Sequence, residues 1–220
     1  MYLSVLHIKA CINISEVIDM DMFLKIYIPV YMIAFFLIAM VYPSYRLYKH
    51  TGITPITFGK STESAHNYIG FLFKLIFIIV GGYGLLSSFI EFKTIEYIDS
   101  SILKIIGVVL SILSFILIIA AQRTMANSWR IGIDEKVKTK LVTNGAFKHI
   151  RNPIFSGMLL VLLSLFLVLP TYFMAYMTVL SYLITSIQVR LEEEYLTKVH
   201  SKDYLDYKAK VGRFIPKIFN

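Results

Sequence analysis

Residues 154–189 form an apolar stretch of 36 residues, and no other feature so narrows what this chain can fold into. As one continuous helix it would measure about 54 Å, nearly twice the ~30 Å of hydrocarbon in a bilayer. It must fold back or break. Pro170, near its middle, lacks the N–H that a helix interior needs, so the stretch reads as a tight helical hairpin with one arm on either side. The first arm is short for a full crossing, which implies tilt or local thinning. Three further stretches, 22–42, 68–90 and 102–121, are each long enough to cross alone.

The chain is 57% hydrophobic and only 16% charged, whereas a soluble domain carries roughly 25% charged residues. That excludes a conventional soluble enzyme, a disordered chain and a disulfide scaffold. The one cysteine, Cys11, has no partner for a bridge, and His7, His50, His66, His149 and His200 are scattered without ligand spacing, so no metal is expected.

The net charge of +8 has to be read loop by loop, because lysine and arginine accumulate on the cytoplasmic side. Before the first span, Lys9 faces Glu16, Asp19 and Asp21, an external signature. The next loop holds Arg46, Lys49 and Lys60 against Glu63, and the one after it Lys93 against Glu91, Glu96 and Asp99. After the third span come Arg123, Arg130, Lys136, Lys138, Lys140, Lys148 and Arg151 against Asp134 and Glu135. The tail beyond Val189 adds seven more basic residues. Only a hairpin puts both basic regions on one side. The predicted fold is therefore all-α and polytopic: an external segment (1–21), three spans (22–121), and a region (122–220) holding a loop, the hairpin and a cytoplasmic amphipathic C-terminal helix. The N-terminus is external and the C-terminus cytoplasmic.

Lys25, Lys74 and Lys104 lie near span ends, where their stems can carry the ammonium to the headgroups. Gly81, Gly82 and Gly84 sit inside a span with no preceding strand, which points to close helix packing and away from a nucleotide loop. The first 21 residues carry an apolar patch but no convincing cleavage site for a signal peptide.

Polar residues outside the spans concentrate at 122–153 and 190–220, so chemistry is expected there. The run Leu141-Val142-Thr143-Asn144-Gly145-Ala146-Phe147-Lys148-His149-Ile150-Arg151-Asn152-Pro153-Ile154-Phe155-Ser156-Gly157 reads as a turn, a basic stretch and a helix start. It aims backbone N–H groups and Arg151 at the membrane surface, which suits a carboxylate or phosphate; an interfacial loop anchored to headgroups fits the same residues. After the hairpin, Glu192-Glu193-Glu194 follows Arg190-Leu191. A solvated acidic helix start explains it as simply as a ligand grip does. Leu191, Tyr195 and Val199, then Leu196, Tyr204, Tyr207 and Val211, recur at helical spacing and predict an amphipathic helix. The hairpin would hold the acidic turn near Arg151, an arrangement suited to a zwitterionic, nucleoside-bearing ligand.

The run ending Arg151-Asn152-Pro153-Ile154-Phe155-Ser156-Gly157, an apolar hairpin, Glu192-Glu193 and the ending Arg213-Phe214-Ile215-Pro216 together resemble the isoprenylcysteine carboxyl methyltransferase family, whose pattern the membrane phospholipid methyltransferases share. The resemblance covers about residues 128–216. It implies a membrane enzyme that transfers a methyl group from S-adenosyl-L-methionine without a Rossmann domain. Family positions contacting the cofactor match Lys140, Leu141, Val142, Phe147, Asn152, Pro153, Ile154, Phe155 and Glu192, to which His149 and Arg151 are added. On this resemblance Phe147 and Phe155 pack the adenine or face the sulfonium, and Arg151 holds the methionyl carboxylate. Glu192 or Glu193 holds ribose hydroxyls or the amino group, with Arg151 and Glu193 as the expected catalytic residues.

The chain departs from the family at Asn152 (usually histidine), Phe155 (usually tyrosine) and His200-Ser201 (usually Phe-Gly). Where the prenylcysteine enzymes place an arginine for the substrate carboxylate, it has Gln188; Arg190 is two residues away, about 200° round a helix. Gln188 and Arg190 are the expected substrate-binding positions. The expected partners are membrane lipids and a lipophilic small molecule or lipid-modified substrate, methylated on a carboxylate, amine or thiol, with a phospholipid amine as the alternative and a noncatalytic bundle as the reading from another class. No nucleic acid is expected.

Overall fold

The structure, a computed structural model, describes residues 20–52, 64–126 and 140–217. Most of the N-terminal segment, Lys60, Glu63, and Arg130 through Lys138 of the basic loop lie outside the described residues. Five helices account for most of the rest: α1 Met20–Thr51, α2 Ser64–Leu86, α3 Ser101–Met125, α4 Pro153–Val168 and α5 Tyr172–Lys210. Among the described residues there is no strand, and one isolated parallel bridge joins Ile150 to Gly212. The all-α architecture with its terminal hairpin is as expected. Four of the helices are long and apolar enough to cross a membrane, and α4 is the shorter fifth.

Two of the boundaries that differ from the sequence reading have a local cause. Helix α1 continues past Tyr42 to Thr51, through a π-helical segment at Phe36–Val41. Pro43 has no N–H to give to the carbonyl four residues back, Ala39, and in its place Gln122 of α3 donates Nε2–H to that carbonyl at 2.7 Å. The wide turn and the borrowed donor let the helix run through a proline. Helix α2 stops at Leu86, four residues short of Ile90, where Ser87 turns its hydroxyl back to the Gly84 carbonyl at 2.7 Å.

The hairpin turn is tied down on both sides. The Pro170 carbonyl accepts from the Ile95 amide at 2.7 Å. The Thr171 hydroxyl caps α5 by accepting from the Met174 amide at 3.2 Å, and it also takes the Tyr83 hydroxyl at 3.0 Å. Sixteen residues give α4 a length of about 24 Å. It packs along α3 through small residues: a Cβ on Gly157 would fall 2.4 Å from Ile118 Cγ1, and one on Gly107 2.7 Å from Val168 Cγ2. Between them, Ser114 and Ser164 are fully buried with hydroxyls returned to their own helix backbone. The close approach expected of Gly81, Gly82 and Gly84 is not there. A Cβ on Gly81 or Gly84 would make ordinary contact with Met32 or Ile28, and one on Gly82 would meet nothing.

Lys104 also departs from expectation. It does not reach outward: its side chain is 8% exposed and its ammonium lies 2.6 Å from Asp99 and 2.7 Å from Asp21, joining the start of α3 to the start of α1. Burial pushes the Asp99 carboxyl up, but the bonds from Lys104 and Thr94 outweigh it and hold the group below its ordinary range. Lys25 reaches Glu91 at 3.0 Å in an exposed pair, and Lys74 is exposed. These contacts, with the Ile95 to Pro170 bond, gather the start of α1, the start of α3 and the hairpin turn at one end of the bundle. The ends of α1 and α3 and the start of α4 are at the other.

Helix α5 is 39 residues long, so Glu192, Glu193 and Glu194 lie inside a helix and not at a helix start. Its charged half begins at Arg190, beyond the apolar part. The separate C-terminal helix expected from the spacing is the continuation of α5 across a kink at Ser201, where φ is +45° and ψ is −117°. Beyond the kink Tyr204 and Val211 are buried and Tyr207 half-buried, the amphipathic face that the spacing indicated. A residue with a Cβ is strained at such a φ. Ser201→Gly should therefore stabilise the protein by about 1 kcal/mol, seen as a rise of a few degrees in unfolding temperature in detergent; an unchanged midpoint would contradict the strain.

Candidate active site

The segment before α4 is built by a turn, a short helix and a helix start. Gly145 has φ of +56°, and a Cβ there would stand 2.6 Å from the Thr124 hydroxyl, so the Asn144-Gly145 turn presses directly on the end of α3. A 3-10 turn, Gly145–Lys148, buries Phe147. The Phe147 carbonyl accepts from the Tyr207 hydroxyl at 2.6 Å. Pro153 occupies the first turn of α4, where its missing N–H costs nothing.

The polar groups at this helix start are satisfied from within the chain. The Arg151 amide donates to the Gly212 carbonyl at 2.8 Å and the Asn152 amide to the Arg213 carbonyl at 3.2 Å. Ser156 Oγ donates to the Phe214 carbonyl at 2.7 Å. The C-terminal segment thus lies alongside residues 150–152 and closes over them.

Glu193 is the centre of this closure. Its carboxylate, 2% exposed, accepts from Arg151 Nε at 3.1 Å, Asn152 Nδ2 at 3.2 Å and Arg213 Nη2 at 2.8 Å, with Lys208 Nζ at 3.7 Å. The rest of the Arg151 guanidinium donates to the carbonyls of Lys208, at 3.0 Å, and Val211. One carboxylate therefore holds two guanidinium groups, binding α4, α5 and the C-terminal segment into a clasp. An outward cleft beside it is lined by Arg190, Glu194, Thr197, Lys198, Lys208 and Arg213 among others. Positive groups outnumber carboxylates along it, which favours an anionic group.

A second group of expected site residues meets elsewhere. Between α1, α2, α4 and α5 lies a narrow apolar cavity, lined by Met32, Phe73, Met158, Leu162, Ser181 and Thr185 among others. Phe155 is one turn of α4 beyond Met158 on the same face, and its ring packs edge-on against Phe73 at 5.8 Å. On α5, Gln188 and Glu192 follow Ser181 and Thr185 at spacings of three and four, so they continue the cavity-facing stripe. Gln188 Nε2 donates to Glu192 Oε1 at 2.8 Å. Phe155, Gln188 and Glu192 thus share the helix faces that line the cavity, about one to two turns from its lining residues.

The expected residues therefore divide. Arg151, Asn152 and Glu193 form the clasp; Phe155 packs on Phe73 and Gln188 bonds to Glu192, away from it. Pro153 is buried and Ile154 half-buried at the start of α4, between the two groups. Arg190 is exposed in the outward cleft, away from Gln188. Lys140 and His149 are exposed, and Leu141 and Val142 half-buried on the approach to the turn. Sequence reasoning assigned no role to Ser156, Tyr207, Gly212 or Arg213. The Arg213-Phe214-Ile215-Pro216 ending was the signal available, since a terminal motif far from any span needs a partner elsewhere.

The model of the family described as phospholipid methyltransferase matches residues 102–203. The match runs from α3 through the pre-hairpin loop and the hairpin to Asp203, somewhat under half the chain. It includes both groups of site residues except the C-terminal strap that closes the clasp. No curated protein matches the chain.

Proposed function

We propose that this chain is an integral-membrane methyltransferase using S-adenosyl-L-methionine to methylate a lipophilic acceptor. The observation that carries the reading is the polar, mixed-charge clasp of Arg151, Asn152 and Glu193, which lies inside the stretch that matches a methyltransferase family. The donor supplies a methyl group already activated on sulfonium, so transfer to a nucleophile needs positioning and exclusion of water more than acid or base strength. The residues present suit that donor. Phe147 and Phe155 offer aromatic faces for adenine and sulfonium, Glu192 offers a carboxylate for the amino group or ribose, and Lys140, Leu141, Val142, His149, Asn152, Pro153 and Ile154 complete the binding segment. The partners that Arg151 and Glu193 find in each other favour a positioning role for this pair, fixing the segment on which the donor rests. The basic residues at this end favour the cytoplasmic side.

Calorimetric titration of detergent-purified protein with S-adenosyl-L-methionine and S-adenosylhomocysteine tests the reading. Both should bind saturably, and Glu192→Ala should weaken both at least tenfold with an unchanged unfolding midpoint. Equal affinity in the variant would remove Glu192 from the donor site, and no binding to folded wild type would leave a noncatalytic bundle.

A further inference from the structure

A separate recess lies between α1 and α3, at the end of the bundle far from the Lys104 cluster. Ile38, Tyr42 and Arg46 on α1 and Ile119, Gln122 and Arg123 on α3 contribute to its lining. Gln122 holds the two helices together at its wall through the bond to the Ala39 carbonyl. Arg46 and Arg123 are exposed, and neither makes an ion pair or a hydrogen bond among the described residues. None of the described residues lining the recess is acidic. Arg123 stands about 29 Å along α3 from Lys104, which matches the ~30 Å of hydrocarbon. With the Lys104 cluster at one interface, both arginines fall at the other. Tyr42, 60% exposed, marks the same level, and Ile38 and Ile119 lie one turn deeper.

We infer that this recess binds the phosphate of an anionic membrane lipid, gripped by Arg46 and Arg123, with the lipid chains running down over Ile38 and Ile119. Two guanidinium forks match phosphate oxygens, and basic recesses between spanning helices suit acidic headgroups. At about 210 Å³ the recess has room for a phosphate and its ester oxygens, where about 15 Å³ suffices for one water. An arginine that merely snorkels meets headgroups singly, whereas here two helices bring their arginines to one place. A zwitterionic headgroup gains less, since no acidic side chain among the described residues lines the recess to receive its cation. The site is independent of the methyl-transfer reading: its α1 wall lies outside residues 102–203, and neither the clasp nor Glu192 contributes to its lining. The bound lipid is a resident that fastens α1 to α3, not the methyl acceptor.

Native mass spectrometry of the detergent-purified full chain, titrated with phosphatidylglycerol, phosphatidylcholine or diacylglycerol of the same chain length, tests the inference by counting bound lipid. One phosphatidylglycerol per chain should bind saturably, and about tenfold more tightly than either of the others. Arg46→Gln and Arg123→Gln should each weaken it about tenfold, and Arg46→Lys, which keeps the charge but not the fork, should fall between. Lys49→Gln removes the same charge from the same end of α1 outside the recess and should change the affinity less than about threefold. If one glutamine variant fails to fold, the other and Arg46→Lys still decide. Equal affinity for phosphatidylglycerol and phosphatidylcholine, or as large a loss from Lys49→Gln as from the arginine variants, would mean diffuse attraction to a basic surface and overturns the inference. Inorganic phosphate is the competitor: it should leave the lipid in place at equal concentration, and displacement there would assign the recess to free phosphate and overturn the lipid as its occupant.

Discussion

Replacing Glu193 by alanine should lower stability by about 3–5 kcal/mol. The carboxylate is 2% exposed and is shared by Arg151, itself 9% exposed, and Arg213. Alanine leaves the Arg151 guanidinium buried beside the carbonyls of Lys208 and Val211 with no counter-charge, and it leaves Asn152 Nδ2 with the Arg213 carbonyl as its remaining acceptor. Arg213 is a third exposed and can turn to water, so most of the loss falls on Arg151. Glu193→Gln keeps one acceptor oxygen in place and should cost clearly less. Thermal unfolding of both variants in detergent checks the order, and donor affinity should fall with stability in both. An alanine variant as stable as wild type would mean that the clasp holds nothing together.

Gly212→Ala is the second large effect. A Cβ there would fall 2.0 Å from the Ile215 carbonyl oxygen and 3.1 Å from the Lys217 amide, both main-chain atoms that no side-chain rotation can move. The segment must shift, and with it the Gly212 and Arg213 carbonyls that accept from the Arg151 and Asn152 amides. Overpacking of this kind costs about 1–3 kcal/mol, and each lost hydrogen bond adds about 1 kcal/mol. The expected result is a lowered unfolding temperature together with at least a tenfold loss of donor affinity, because the strap being displaced closes the donor segment. Gly82→Ala, where a Cβ meets nothing within 4 Å, is the matched control and should be near neutral. If both glycines behave alike, the strap is not under the constraint described.

The parts of this fold that were legible in the sequence depend on local pattern. The hairpin followed from a 36-residue apolar run interrupted by Pro170, and the Asn144-Gly145 turn from the conformational demand of one dipeptide. What the sequence left hidden depends on which surfaces face each other. Lys104 looked like a residue free to reach the headgroups because its partners Asp21 and Asp99 sit on other segments. Gly81, Gly82 and Gly84 looked like a packing motif, yet the crowded glycines within the helices are Gly107 and Gly157, singled out only by the atoms of the opposing helix. Adjacent Glu192 and Glu193 could not be told apart. Their side chains diverge by about 100° around α5, and the docking of α5 against α4 decides that Glu193 meets Arg151 while Glu192 meets Gln188.

The most direct test of the central claim is transfer itself. Purified protein in vesicles containing mixed amphiphiles is incubated with methyl-labelled S-adenosyl-L-methionine, and label is counted in the organic extract. Protein-dependent label in a lipophilic product, abolished by Glu192→Ala, is the expected result. Saturable donor binding with no label in any extractable product, across carboxylate, amine and thiol amphiphiles, would contradict it.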